Sequence, residues 1–358
     1  MKNKKIYING RFLTQALTGI PRFSYEICVY LQRLGVEFVV IAPRKIRSEY
    51  KITFPLIQTG KLNSHFWEQI DLLNYLRKEG NPLLLSFSGL GPVSYKNHIC
   101  TIHDIAFLRD PKWFPRSYTF VYKHLTPIVA RSSIKILTVS DFSRQEIQEL
   151  LHINSQKIEV IYNAVSENFL NDSEIPYNLE APTRPYILTV SSHNNARKNF
   201  LRIVEAFRLL LKKRTDIDLY IVGDAAKVLD SENVFYGMQD NIKILGRLSD
   251  EALKAYYRKA EMFVHPSLYE GFGIPPLEAM AMGCPVIASD IPAIREVCGD
   301  AFLRCDPTAA SSIAQAIEHL LNTPGLRSDL IQKGNIQYKL YSWEKSAIKL
   351  KALLNKLS

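Results

Sequence analysis

The sequence lacks the features that mark membrane, metal-binding and secreted proteins. No run of 18 or more apolar residues occurs in its 358 residues, which excludes a membrane-spanning helix. The basic start at Lys2, Lys4 and Lys5 turns polar by Asn9-Gly10, too soon for a signal peptide. There are five cysteines, Cys28, Cys100, Cys284, Cys298 and Cys305, an odd number with no zinc spacing. They read as reduced, mostly buried thiols of a cytoplasmic protein. No Asp-X-Asp pair follows a strand and the histidines are scattered, so neither a metal nor a cofactor is expected. No basic-aromatic recognition element or DNA-binding motif stands out, which argues against nucleic acid. Low-complexity tracts and short-period repeats are absent too.

What is present is an ordinary globular composition, 47% apolar and 22% charged, on a chain long enough for two cores. Net charge is +10 and uneven. Residues 1–175 hold 22 Lys and Arg against 15 Asp and Glu, and the remainder holds 23 against 20. A basic first half suits an anionic partner such as a phosphorylated substrate or acidic lipid; a generically basic surface is the plainer reading.

Strand-like and helix-like segments alternate along the first half. Strands are expected at Lys5–Ile8, Val36–Ala42, Leu83–Phe87, His98–Ile102, Ile134–Val139 and Glu159–Ile161. A helix is expected from about Phe23 to Leu34, and another capped by Ser140 and running to Leu151. Such alternation implies parallel sheet with right-handed crossovers. Glu167–Arg184 is polar and proline-bearing and reads as a linker. The pattern then restarts. Strands are expected at Tyr186–Val190, Leu219–Gly223, Ile242–Leu245, Met262–Val264, Pro285–Ala288 and Ala301–Leu303. Helices are expected at Asn199–Leu211, Ser249–Lys259, Leu277–Met282 and Ser311–Asn322. The first of these has an apolar face at Leu201, Val204, Phe207 and Leu211. The chain closes on an amphipathic helix from Ser342 or Trp343, with Ala347, Leu350, Leu353 and Leu354 on one side. The expected architecture is α/β: two doubly wound Rossmann-like domains, 1–172 and 173–340, whose strand ends face each other across a cleft, with 341–358 returning to the first.

The stretch richest in chemistry is His265-Pro266-Ser267-Leu268-Tyr269-Glu270-Gly271-Phe272-Gly273-Ile274-Pro275-Pro276-Leu277-Glu278. A strand runs into a glycine loop where backbone N–H groups can approach an anion. Pro275 and Pro276 fit the start of a helix, whose positive dipole end favours phosphate. Glu270 stands at the front of the loop. Glu278, eight residues on, lies inside the helix, where a carboxylate can accept two sugar hydroxyls.

This string resembles the signature of glycosyltransferase family 4, retaining enzymes of the GT-B fold. The resemblance covers nearly the whole chain. Val190-Ser191-Ser192-His193-Asn194-Asn195-Ala196-Arg197-Lys198-Asn199 is similar to the family's segment after the first strand of the second domain. It implies that Lys198 holds the donor diphosphate. The family's usual arginine six residues earlier is Ser192 here, and Arg197 stands next to the lysine. Gly19, in Thr18-Gly19-Ile20-Pro21-Arg22, resembles the first loop, where glycine backbone approaches donor phosphates or acceptor. His103-Asp104 resembles the active-site histidine segment, and Ser140-Asp141-Phe142-Ser143 a strand-to-helix turn. Gly223-Asp224 and Gly246-Arg247-Leu248 resemble segments around the nucleotide. Trp343-Glu344 resembles the return crossing.

The resemblance implies catalytic roles for His103, Glu270 and Lys198. It implies a donor site at Gly19, Arg197, Lys198, Gly246, Arg247, Gly271, Phe272, Gly273, Ile274 and Glu278. The partners implied are a nucleotide-diphosphate sugar, with GDP-mannose favoured, and a glycan or polyprenyl-linked glycan acceptor, as in bacterial polysaccharide biosynthesis. A sugar phosphorylase or nucleotide-sugar epimerase on the same scaffold, or a non-catalytic nucleotide-sugar binder, is the alternative. Phe66-Trp67, Trp113-Phe114, Tyr118, Phe120 and Tyr122 lie among Lys112, Arg116, Lys123 and Arg131. They read equally as an anionic membrane surface on the inner face of the plasma membrane or as core and acceptor-pocket residues.

Overall fold

A computed structural model describes residues 5–171, 182, 184–191, 196–223 and 234–357. Ser192, Asp224 and most of the expected linker, 172–181, lie outside the described residues. The chain divides into two compact units, Met1–Asn163 with Ser342–Ser358, and Ala164–Tyr341.

The first unit is built on seven parallel strands: β1 (Ile6–Asn9), β2 (Val39–Ala42), β3 (Leu56–Gln58), β4 (Leu83–Ser86), β5 (His98–Thr101), β6 (Lys135–Thr138) and β7 (Ile158–Val160), in the order β3-β2-β1-β4-β5-β6-β7. Central strands such as Leu83–Ser86 are buried along their whole length, as parallel strands covered on both faces require. The edge strand β3 has three residues and leaves Ile57 exposed, too short to signal itself in sequence. Two helices also escaped the periodicity. Residues 64–78 are helical, but Trp67–Leu72 widens into a π-type turn, which breaks the 3.6-residue repeat. Arg116–Ser132 carries Pro127 in its interior, and its Phe120, Val121 and Ile128 stay exposed.

The first long helix, Gly19–Arg33, starts four residues before the expected Phe23, because Gly19 takes a φ of +33° that opens the first turn. Ser140 caps Asp141–Leu151 as expected, its Oγ accepting from the Ser143 N–H at 2.9 Å. The final helix, Trp343–Leu357, buries Ala347, Leu350, Leu353 and Leu354. Trp343 meets Phe23 edge-on at 5.8 Å, and Lys351 caps the Leu34 carbonyl at 2.7 Å.

The second unit has six parallel strands: β8 (Tyr186–Val190), β9 (Asp218–Val222), β10 (Ile242–Gly246), β11 (Met262–His265), β12 (Val286–Ser289) and β13 (Phe302–Cys305), in the order β10-β9-β8-β11-β12-β13. Against it the helix Phe200–Leu211 buries Phe200, Ile203, Val204, Ala206, Phe207 and Leu210. Val204 and Phe207 are buried as expected, but Leu201 is 58% exposed and Leu211 only half-buried, Phe200 and Leu210 taking the inner positions at the two ends. The polar stretch read as linker begins with a helical turn, Glu167–Leu170, that belongs to this unit. Phe169 packs on Tyr257, and the buried Lys254 ammonium is satisfied by the Asn168 and Asn171 carbonyls at 2.9 and 2.6 Å. All five cysteines are free and buried. No helix among the described residues is long and apolar enough to cross a membrane.

Each sheet reverses its winding once, between β1 and β4 in the first unit and between β8 and β11 in the second. In open α/β sheets, the carboxyl ends flanking such a reversal form the ligand crevice.

Candidate active site

In the second unit, chain leaving β8 reaches Lys198 and chain leaving β11 reaches Glu270, so the two residues sit astride the reversal. A short turn, Ala196–Lys198, delivers the lysine. Asn199 then takes a left-handed conformation, φ +59°, which Asn tolerates better than most residues. Its side-chain amide donates to the Pro266 and Pro307 carbonyls at 2.9 and 2.7 Å. The Leu268 N–H donates to the Arg197 carbonyl at 2.8 Å. The Lys198 turn is thereby stitched to the loop after β11.

The result is a compact charged cluster. Lys198 Nζ lies 2.7 Å from Glu270 Oε1, and His265 Nε2 lies 3.0 Å from the same oxygen. Ser267 Oγ is 3.1 Å from His265 Nε2. The His265 ring is 1% exposed and stacks on Phe263 at 5.8 Å. Burial alone would push the Glu270 carboxyl up, but Lys198, His265 and Arg197 hold it well below the usual carboxylate range. Burial pulls His265 down, only partly offset by Glu270. A neutral imidazole facing an ionised carboxylate must carry its proton on Nε2, because a carboxylate only accepts.

The helix Ile274–Ala281 follows the loop, as the paired prolines imply, with Gly273 at its N-terminus at φ +100°. A Cβ at Gly273 would lie 2.6 Å from Ile294 Cδ1, a side-chain end that can shift, so it is the backbone conformation that calls for glycine there. The prolines have a second consequence. With Pro275 and Pro276 lacking N–H groups, only Gly273 and Ile274 offer donors in this turn before Leu277. The helix end keeps its dipole but contributes few hydrogen bonds of its own. Gly271 has no positive φ, and the Phe272 side chain is turned away, buried edge-on against Tyr341 at 5.4 Å. Glu278 is half-buried inside the helix, and its charge adds to the burial that pushes the Tyr257 phenol up. Gly246 ends β10 and the exposed Arg247 follows it, two strands from β8, roughly 10 Å across the sheet by strand spacing.

In the first unit a cavity of about 440 Å³ opens at the other reversal. Arg11, after β1, and Ser88 and Gly89, after β4, line it with Thr18, Ile20 and His103. Gly19 itself sits between two of these lining residues. His103 donates from Nε2 to the Phe87 carbonyl at 2.8 Å, which leaves Nδ1 as the acceptor. Burial lowers its pKa.

Sequence patterns pointed to His103 and, as one of two readings, to the aromatics of this cavity, but not to the polar groups Arg11, Glu68, Thr101 and Thr126 that help shape it. Arg11 is held by Glu68, Nε to Oε2 at 2.9 Å, with 8% and 1% of the two side chains exposed. The pair is close but poorly aligned for a hydrogen bond, so charge attraction is its main content. Glu68 Oε1 also accepts from the Asn9 amide at 2.7 Å. Thr101 and Thr126 line the cavity with buried hydroxyls that find no protein partner. Phe114, Tyr118 and Tyr122 form a stacked column along one wall, with centroids 5.3 and 4.2 Å apart. The aromatics thus divide: these three line the cavity, Trp67 is core, and Phe66 and Phe120 are 72% and 67% exposed. Among the described residues, no three His, Cys, Asp or Glu side chains cluster as metal ligands would.

Comparisons with known proteins agree with this architecture. Residues 17–169 match the model described as Glycosyltransferase Family 4, and residues 171–337 match Glycosyl transferases group 1. The chain is 32% identical to O-antigen chain mannosyltransferase B of Escherichia coli, covering 92% of this chain and 93% of that one. It is 30% identical to O-antigen chain mannosyltransferase RfbU of Salmonella typhimurium, covering 94% and 96%. The fold is shared with WaaG, a glycosyltransferase involved in lipopolysaccharide biosynthesis (TM-score 0.75, 16% identity, 97% and 98% covered). It is also shared with Anabaena HepE in complex with UDP-glucose (TM-score 0.74, 15% identity, 99% and 100% covered). With two parallel α/β units of this kind and relatives aligned along nearly its whole length, the chain belongs to the family 4 glycosyltransferases of GT-B fold.

Proposed function

We propose that this glycosyltransferase is a retaining, metal-independent mannosyltransferase that moves mannose from GDP-mannose to a growing glycan on a polyprenyl-diphosphate lipid. The observation that carries the reading is the Lys198–Glu270 cluster at the reversal of the second sheet, ahead of the Ile274 helix start. Loss of the nucleoside diphosphate is the step that develops most charge. A fixed ammonium, nearby Arg197 and a helix dipole act where that charge appears. Glu278 takes the ribose hydroxyls, with Gly246 and Arg247 toward the nucleotide. Glu270 serves the sugar side, stabilising positive charge at the anomeric carbon. The mannosyltransferase relatives support mannose; HepE, solved in complex with UDP-glucose, supports a nucleotide-sugar donor.

The acceptor sugar enters the first unit's cavity. Thr101, Thr126 and His103 Nδ1 offer hydrogen bonds there, and the aromatic column and Arg11 complete the wall. Exposed Phe66, Phe120 and Ile128, with Lys112, Arg116 and Lys123, form the face that rests on an anionic membrane. Each basic residue near the lipid is worth about 1 kcal/mol.

One experiment tests these parts together. GDP-mannose and competing nucleotide sugars are offered with a lipid-linked acceptor in anionic or neutral vesicles, and the product linkage is read by NMR. Expected are α-linked mannose from GDP-mannose and faster transfer on anionic vesicles, an advantage lost at high salt. Transfer from another donor alone, a β-linked product, or equal rates on both vesicles would each remove the corresponding part.

A further inference from the structure

The Lys198–Glu270 pair poses a problem for Lys198 as the ligand of the donor diphosphate. The ammonium meant for the phosphates is already engaged, 2.7 Å from a buried carboxylate. An incoming diphosphate, carrying several negative charges, must either draw Lys198 away or sit beside Glu270 and be repelled. Once Lys198 turns to phosphate, Glu270 loses its closest counter-charge while still only 6% exposed. A carboxylate left so would tend to take up a proton and swing. His265 is placed to oppose this. Its Nε2–H reaches Glu270 Oε1 at 3.0 Å. The ring is held by burial and by stacking on Phe263, and needs no contribution from Lys198.

We propose that Glu270 is an exchangeable counter-ion, holding Lys198 in the free protein and yielding it to the donor diphosphate, while His265 acts as the positioning residue that keeps Glu270 ionised and oriented after the exchange. The exchange rests on the proposed role of Lys198 as the diphosphate ligand. The charged and titratable groups that face Glu270 are Lys198 and Arg197 from the turn after β8, and His265 from β11 itself.

A double-mutant cycle on nucleoside diphosphate binding separates this exchange from simple charge removal. GDP, with UDP as second probe, is titrated calorimetrically into wild type, Glu270→Gln, Lys198→Ala and the double variant. The diphosphate alone is used so that contacts to the donor sugar do not enter. Lys198→Ala is expected to weaken binding. Glu270→Gln is expected to tighten it about 3- to 10-fold, the size of a modest ion pair released from competition. In the Lys198→Ala background, Glu270→Gln should change binding less than about 2-fold. Equal tightening in both backgrounds, or none in wild type, overturns the exchange. If Lys198→Ala leaves binding unchanged, Lys198 does not hold the diphosphate at all, and the proposed role of Lys198 fails instead. For His265, the readouts are the kcat-against-KM split and the pH profile. Glu270's pKa is depressed in the fold, so losing one of its donors raises it. His265→Phe, which keeps the ring stack, should therefore cut kcat at least about tenfold, leave the donor KM within about 2-fold, and move the acid limb to higher pH. His265→Gln, whose amide can supply an N–H at similar reach, should restore most of the rate. An unmoved acid limb in His265→Phe, or no rescue by Gln, would reduce His265 to a packing residue.

Discussion

The two units place their candidate site groups at equivalent points of their sheets, yet they build them differently. In the second unit the site comes from two short strings, Arg197–Asn199 and His265–Glu278, each a strand running into its own loop and helix. Its geometry is local: a left-handed Asn199, a left-handed Gly273, two prolines and a dipole. In the first unit the cavity is assembled from Arg11, Glu68, Thr101, His103, Thr126 and a column of rings, spread over more than a hundred residues. Anion binding needs only backbone and one cation, and a short segment can encode it. A cavity lined by hydroxyls, rings and a buried ion pair needs walls from several elements, and so is encoded only in the tertiary fold.

That contrast can be broken at specific places. The largest effect is expected at Glu68. Replacing it by Gln leaves Arg11 charged and buried without a counter-ion, which should cost about 3–5 kcal/mol of folding stability. Urea unfolding that gives less than about 1 kcal/mol would show that the pair is not structural. A smaller effect is expected at Glu278. Glu278→Gln replaces a two-oxygen acceptor and should weaken GDP binding about tenfold, near 1.4 kcal/mol. Unchanged calorimetric affinity would make Glu278 a helix residue and nothing more. The smallest concerns Thr126. Thr126→Val removes a buried hydroxyl with no protein partner, so stability should hold or rise slightly while the acceptor KM rises about 3- to 10-fold. A stability loss beyond about 1 kcal/mol with normal KM would mean that the hydroxyl serves the fold.

The same contrast explains what could be read from sequence. The alternation of strands and helices was plain because central strands are buried on both faces and read as continuous apolar runs, such as Leu83–Ser86 and Met262–His265. Elements that lacked a clean period were missed: the three-residue β3, the π-widened 64–78 and the proline-bearing Arg116–Ser132. The string around Glu270 announced itself by glycines, prolines and carboxylates in strand–loop–helix order. His265 was present in that string but gave no signal. Only the fold shows its Nε2 on Glu270, with the ring buried against Phe263. Arg11 and Glu68 lie 57 positions apart, and nothing local announces their pairing. The aromatics of 113–122 carried two readings because ring-rich sequence is the same whether it lines a cavity or faces outward.

Whether Lys198 stabilises the departing diphosphate in place of a metal ion is decided by turnover of wild type and Lys198→Ala, each with and without excess EDTA. Expected are an EDTA-insensitive wild-type rate and a loss of about 30- to 1,000-fold in the variant, or roughly 2–4 kcal/mol of transition-state stabilisation. A near-normal variant rate would remove Lys198 from that role, and a wild-type rate abolished by EDTA and restored by magnesium or manganese would give it to a metal.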